Sequence, residues 1–73
     1  MKILAEVAGK VWKIEARPGA KLGADEVILI LESMKMEIPV TAPSPCTLVE
    51  LRVKEGDMVE EGGLIAVAEK AAE

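Results

Sequence analysis

The sequence predicts an all-β domain made of two similar β units, and three observations carry that prediction. Turn-forming residues recur at short intervals, at Gly9, Pro18-Gly19, Gly23, Pro43 to Pro45, Gly56 and Gly62-Gly63, with brief apolar stretches between them. From residue 34 the side chains alternate, with Met34, Met36, Ile38 and Val40 on one side and Lys35, Glu37 and Pro39 on the other. Finally, a shift of 37 residues superposes Ala16 to Leu22 on Val53 to Val59, and Val27 to Glu32 on Leu64 to Glu69. Gly19 and Gly56, Ile28 and Ile65, and Glu32 and Glu69 are identical under that shift. Two copies point to a pseudo-two-fold axis; a solenoid would want three or more.

Taken along the chain, Gly9 opens a stretch in which Val11 and Ile14 are side chains of the kind a small barrel packs. Trp12 is the only aromatic residue and, as the largest apolar group, is expected to pack against that barrel. After the Pro18-Gly19 turn, Val27 to Leu31 is apolar on both alternating faces, as in a strand at the middle of a core. Val27, Leu31, Met34 and Ile38 also fit helical spacing. The β-branched residues, Pro39 and the later alternation decide for a strand. Leu48, Leu51 and Val53 supply a further packed stretch. Cys46 reads as an inert turn or core thiol. The tail, Ala68 to Glu73, is expected to fray, leaving a single domain over 1–73 with an ordered core of about 2–69.

Length and composition narrow the chemistry. With 73 residues there is room for one domain, and one that buries only about 60% of its unfolded surface. There is no His and a single Cys. A histidine base, a disulfide within the chain, a CxxC pair and a Cys-rich zinc site are therefore all excluded. One aromatic residue and a net charge of −4 argue against nucleic-acid binding. The apolar run Val27 to Leu31 is far short of the ~20 residues a bilayer span needs. An acid as early as Glu6 does not suit a secretory signal, so the expected location is cytoplasmic. Residues 1–35 carry six basic and five acidic groups, and residues 36–73 carry three and eight. The acidic half reads as a solvated face. No large exposed apolar stripe is evident in the sequence, so a monomer is expected.

If Val27 to Leu31 pairs antiparallel with Ile38 to Val40, the chain must reverse between Glu32 and Glu37. Centring the reversal on Met34-Lys35 pairs Ser33 with Met36, Glu32 with Glu37 and Leu31 with Ile38, leaving a two-residue loop. Such loops favour Asn-Gly or Asp-Gly, and Met-Lys has no turn chemistry of its own. Residues held against backbone preference occur more often at functional positions. A lysine at such a tip offers an exposed amine on four methylenes. A lysine amine is protonated near neutral pH, and the chain has no evident base to take that proton. Acylation of Lys35 would thus need machinery from a partner, making this chain a substrate and carrier. The plainer readings are a solvated Lys35, gap-filling Met34 and Met36, and exposed cross-strand acids at Glu32 and Glu37.

Glu32-Ser33-Met34-Lys35-Met36-Glu37 followed by Ala42-Pro43 resembles the modification site of biotinyl domains, the biotin carboxyl carriers of biotin-dependent carboxylases. The likeness runs from about Val7 to Glu69. It takes in Gly9-Lys10-Val11, the Gly19 turn and the Val53-x-x-Gly56-x-x-Val59-x-x-Gly62 stretch. The short chain is similar to stand-alone biotin/lipoyl attachment proteins. The resemblance implies a flattened β-barrel of two four-stranded antiparallel sheets with quasi-two-fold symmetry, a barrel-sandwich hybrid. It also implies that Lys35 carries biotin in amide linkage, attached by a biotin protein ligase; Met34, Met36, Ser33, Glu32 and Glu37 around it are the expected recognition residues, read by the ligase or a carboxylase. The partners implied are that ligase, a biotin carboxylase and a carboxyltransferase. Tethering would keep the cofactor at high effective concentration near both active sites.

Three positions depart from the family pattern. Ser33 stands where alanine is usual, Cys46 where a glycine usually follows the Ala-Pro segment, and Asp25 where the first repeat's second turn glycine is expected. The inserted thumb of some acetyl-CoA carboxylase carriers is also missing, since only five residues separate Glu26 from Glu32. The alternatives are a lipoyl carrier of a 2-oxo-acid dehydrogenase or glycine-cleavage system, with lipoate on Lys35, and an unmodified β-barrel adaptor. Lipoyl domains generally place an acid just before the lysine, and here that residue is Met34.

Overall fold

The computed structural model describes residues 1–71 and contains only strands and turns. Eight strands follow one another: β1 (Lys2–Leu4), β2 (Gly9–Ile14), β3 (Lys21–Leu22), β4 (Val27–Ser33), β5 (Met36–Thr41), β6 (Cys46–Leu51), β7 (Met58–Val59) and β8 (Leu64–Lys70). They form two four-stranded sheets. The hairpin sheet has the order β5-β4-β2-β7, and the terminal sheet the order β1-β8-β6-β3. Every pairing within them is antiparallel.

The 37-residue repeat of the sequence is the symmetry of the fold. Adding 37 to the bounds of β2, β3 and β4 gives those of β6, β7 and β8. The same operation carries one sheet order onto the other. It also carries the register shift between Val11 and Lys13 onto that between Leu48 and Glu50. Turn hydrogen bonds repeat as well. Gly19 N donates to Leu48 O at 2.6 Å, and its image, Gly56 N, donates to Val11 O at 2.8 Å. Gly19 and Gly56 hold φ of 95° and 96°, a region open to glycine at little steric cost, so the one strict glycine identity of the repeat is a turn requirement.

The core lies between the sheets. Val11, Ile28, Leu29, Leu31, Leu48 and Ile65 are fully buried, and Ile14, Leu51 and Val53 pack against that cluster partly buried. Among the described residues no polar or charged side chain is buried, so stability rests on apolar burial and the backbone ladders. Cys46 is buried as a core thiol at the start of β6. Its image is Gly9, where an added Cβ would stand 2.8 Å from the Glu32 carbonyl oxygen. The hairpin sheet therefore needs glycine at a point where the terminal sheet accepts a side chain. Asp25 keeps its turn by adopting φ 65°, beside φ 81° for its image Gly62.

Two expectations are corrected. Trp12 does not join the barrel core. It sits on the bulge of β2, 47% exposed, and its image Val49 sits on the bulge of β6 with the same exposure. A bulge sets two residues of one strand against one of the next, so Trp12 and Lys13 both face outward opposite Ile30. Nor do Ala68 to Lys70 fray. They pair with Leu48, Thr47 and Cys46, and Ala68 N donates to Met1 O at 2.8 Å while Met1 N donates back to Ala68 O at 2.7 Å. Ala68 is buried because its side chain belongs to the core cluster between the sheets. The remainder of the expected frayed tail, 72–73, lies outside the described residues.

Candidate functional site

β4 and β5 form the hairpin with the expected register: Ser33 opposite Met36, Glu32 opposite Glu37, Leu31 opposite Ile38. Met34 and Lys35 are the two loop residues, at φ 49° and 67°. Positive φ at both central positions is the type I′ requirement, because that twist matches the strands it joins. Neither residue is glycine, so each L side chain costs about 1–2 kcal/mol in the left-handed region. The rest of the hairpin holds it there. Leu29 and Leu31 are buried in β4 and Val40 in β5, and a slip of one residue would turn these side chains out to water.

Lys35 stands at the apex, exposed, with its amine free of any ion pair among the described residues. Met34 is 93% exposed and Met36 63%, so both methionines flank the amine in water and do not fill the core. Glu32 and Glu37 face each other across the ladder, both exposed, one residue pair below the closing pair. Ser33, half-buried, lies against β2 near Gly9: an ideal Cβ on Gly9 would be 3.4 Å from the Ser33 Cβ. All six residues singled out from the sequence thus occupy the last two rungs and the loop of one hairpin.

Nothing around the tip resembles a reaction centre. Among the described residues there is no cluster of His, Cys, Asp and Glu able to hold a metal. A concavity of about 80 Å³ between β1 and β5 is lined by Leu4, Val7, Ile38 and Val40, has Glu6 as its one ionisable residue and does not include Lys35. The arrangement can present an amine; it does not surround one.

The model of the family described as "Biotin-requiring enzyme", the biotin/lipoyl family, matches residues 1–68. The chain belongs to that family. A biotin/lipoyl attachment protein of Bacillus subtilis is 38% identical over 65 residues, covering 89% of each chain. In three dimensions this carrier domain superposes on a single-chain, multi-domain long-chain acyl-CoA carboxylase with a TM-score of 0.92 at 29% identity, over all of this chain and 7% of that one. The lipoyl domain of the 2-oxoglutarate dehydrogenase complex of Azotobacter vinelandii gives 0.76 at 27% identity, over 90% of this chain and 84% of that domain. The family is one of attachment domains, so the chain is a carrier and not a catalyst. Its likeness to that carboxylase exceeds its likeness to that lipoyl domain.

The sequence reading missed one feature of this end of the molecule, the exposed apolar side chains beyond the hairpin. Met58 on β7 is 74% exposed and lies in register with Lys10, which is itself opposite Glu32. The repeat could have flagged it, since the image of Met58 is Lys21, a residue of the type expected on an exposed strand.

Proposed function

We propose that Lys35 is the attachment point of biotin, and that the domain carries it for a biotin-dependent carboxylase. The observation behind this reading is the type I′ apex, which holds an unpaired amine clear of both sheets. The residues present suit a covalently tethered group. Two exposed methionines flank Lys35 along the chain, and among the described residues no ion-pair partner competes for its amine. The tip residue before the lysine is Met34, not an acid, and the better superposition on a carboxylase than on a lipoyl domain points the same way.

Loading requires the Lys35 Nζ, once deprotonated, to attack the carbonyl carbon of biotinyl adenylate. The new C–N amide bond forms, the C–O bond to the phosphate breaks, and AMP departs with its electron pair. A biotin protein ligase supplies the adenylate and the base, since no side chain here stands beside Lys35 to take the proton. Bound biotin then supplies carriage of a carboxyl group between a biotin carboxylase and a carboxyltransferase. The chain's own part is to hold Lys35 rigidly at its Cα and leave everything beyond it free to swing.

Intact mass tests the reading. Co-expression with a biotin protein ligase should add one amide-linked biotin, lost in Lys35→Ala with no change in thermal melting. A lipoyl adduct would move the domain to the 2-oxo-acid dehydrogenase class. An unmodified chain beside a ligase that labels another carrier would leave the adaptor reading.

A further inference from the structure

Between β1 and β5, edge strands of the two sheets, the surface sinks into the concavity of about 80 Å³. Its walls are Leu4, Val7, Ile38 and Val40, with Glu6 and Thr41 set among them. Among the described residues, neither the Glu6 carboxylate nor the Thr41 hydroxyl has an ion pair or a hydrogen bond. One acceptor and one donor therefore stand unengaged in an otherwise aliphatic hollow. β5 leads to it from the tip. Met36, Ile38 and Val40 share one side of that strand, passing from 63% exposed through half-buried to buried. Leu4 of β1, 47% exposed, forms the opposite wall.

We propose that this concavity is the resting seat of the biotin head on Lys35, occupied between visits to other enzymes. That rests on Lys35 as the attachment point and adds where its cargo lies. The occupant follows first from reach. From Lys35 to Ile38 is about 10 Å of strand, and to Val40 about 16 Å, at ~3.3 Å per residue. The lysine side chain, the amide and the pentanoyl chain put about 11 bonds between the Lys35 Cα and the ring system, roughly 13 Å at ~1.2 Å per bond. An extended arm laid back along β5 thus delivers its head to the hollow, whereas the bare lysine stops short of it. Chemistry agrees. The head is a thioether ring fused to a cyclic urea, with two N–H donors and one carbonyl acceptor. The Glu6 carboxylate accepts from the urea N–H groups, the Thr41 hydroxyl donates to its carbonyl, and the aliphatic walls cover the thioether ring. A hollow of about 80 Å³ has room for only about two or three waters, so it admits one edge of the fused rings and holds them weakly. Weak holding suffices. A tethered head meets its own domain at an effective concentration of order millimolar, so a seat of millimolar affinity is filled about half of the time and yields readily to an enzyme.

NMR of methyl-labelled protein, unmodified and biotinylated, tests the seat with no enzyme present. Intact mass and peptide mapping first establish one biotin on Lys35. Loading should then shift the methyl resonances of Leu4, Val7, Ile38 and Val40 and the Thr41 amide, besides those at the tip, and nuclear Overhauser contacts should join the ring protons to Ile38. These shifts should persist on dilution. Biotin methyl ester at millimolar concentration, added to unmodified Lys35→Arg, should move the same methyls in the same direction. Leu4→Lys, at an exposed position, should melt like the parent and abolish the loading shifts of Val7, Ile38 and Val40. Glu6→Gln, which exchanges a charged acceptor for a neutral one, should reduce them by about half. Loading shifts confined to residues 33–37, or lining resonances indifferent to both substitutions, overturn the seat. So do shifts that fade on dilution, which would put the head on a second copy. If a competent ligase leaves Lys35 without biotin, the attachment reading fails and the seat with it; if Lys35 is biotinylated and its head touches none of these residues, only the seat fails.

Discussion

Replacing Met34 by asparagine should make the domain more stable while making it a poorer substrate. Met34 holds φ 49° with its side chain 93% exposed. The left-handed backbone costs an ordinary L-residue about 1–2 kcal/mol. Asparagine enters that region several-fold more readily, and it is a favoured residue at this place in a type I′ loop. Because the methionine side chain touches almost nothing, little packing is lost to offset the relief, and a net gain of about 1 kcal/mol is expected. For a domain of this size that corresponds to a rise in Tm of about 4–8 °C. Circular dichroism melting of unmodified Met34→Asn beside the parent measures it, and avidin blotting after timed exposure to ligase should show slower loading. A Tm that stays put or falls would mean the tip stores no such strain, and the account of the hairpin as a register-held loop would be wrong.

The other predictions concern the core and the base of the hairpin. Leu48→Ala removes a side chain with no exposed surface and should cost about 2–5 kcal/mol, a large share of what a domain this small possesses, seen as a sharply lower urea midpoint. Gly9→Ala forces a Cβ to within 2.8 Å of the Glu32 carbonyl oxygen and should destabilise by about 1–3 kcal/mol, with amide shifts in an NMR spectrum concentrated on Glu32 and Ser33. The conservative change at its image, Cys46→Ala, leaves a small void and should cost less than Gly9→Ala in the same melt.

Much of this was legible in the chain because it was written twice. A single offset of 37 residues matched the turns and core strands of the two halves, and centring the reversal on Met34-Lys35 gave the hairpin register to the residue. What the sequence could not show was set by neighbouring strands. The bulge at Trp12 depends on how β2 lies against β4, and no local residue signals it. Asp25 and Met34-Lys35 adopt positive φ without glycine because ladder and core hold the chain on either side, a tertiary cause invisible to turn rules. The end of β8 is held by residues distant in sequence, Ala68 by Met1, 67 positions away, and Glu69 and Lys70 by Thr47 and Cys46 of β6.

The symmetry that relates the sheets also relates the two ends of the molecule. Carried through the axis, the Met34-Lys35 loop falls just beyond Lys70, where Met1 and Ala68 clasp each other, at the opposite pole of a body 39 Å long. A polypeptide spliced ahead of Met1 therefore leaves from the pole remote from Lys35. A designer could anchor the domain to a bead, a scaffold or a larger enzyme through its amino end without shadowing its cargo, and could tune its range simply by the length of leash chosen.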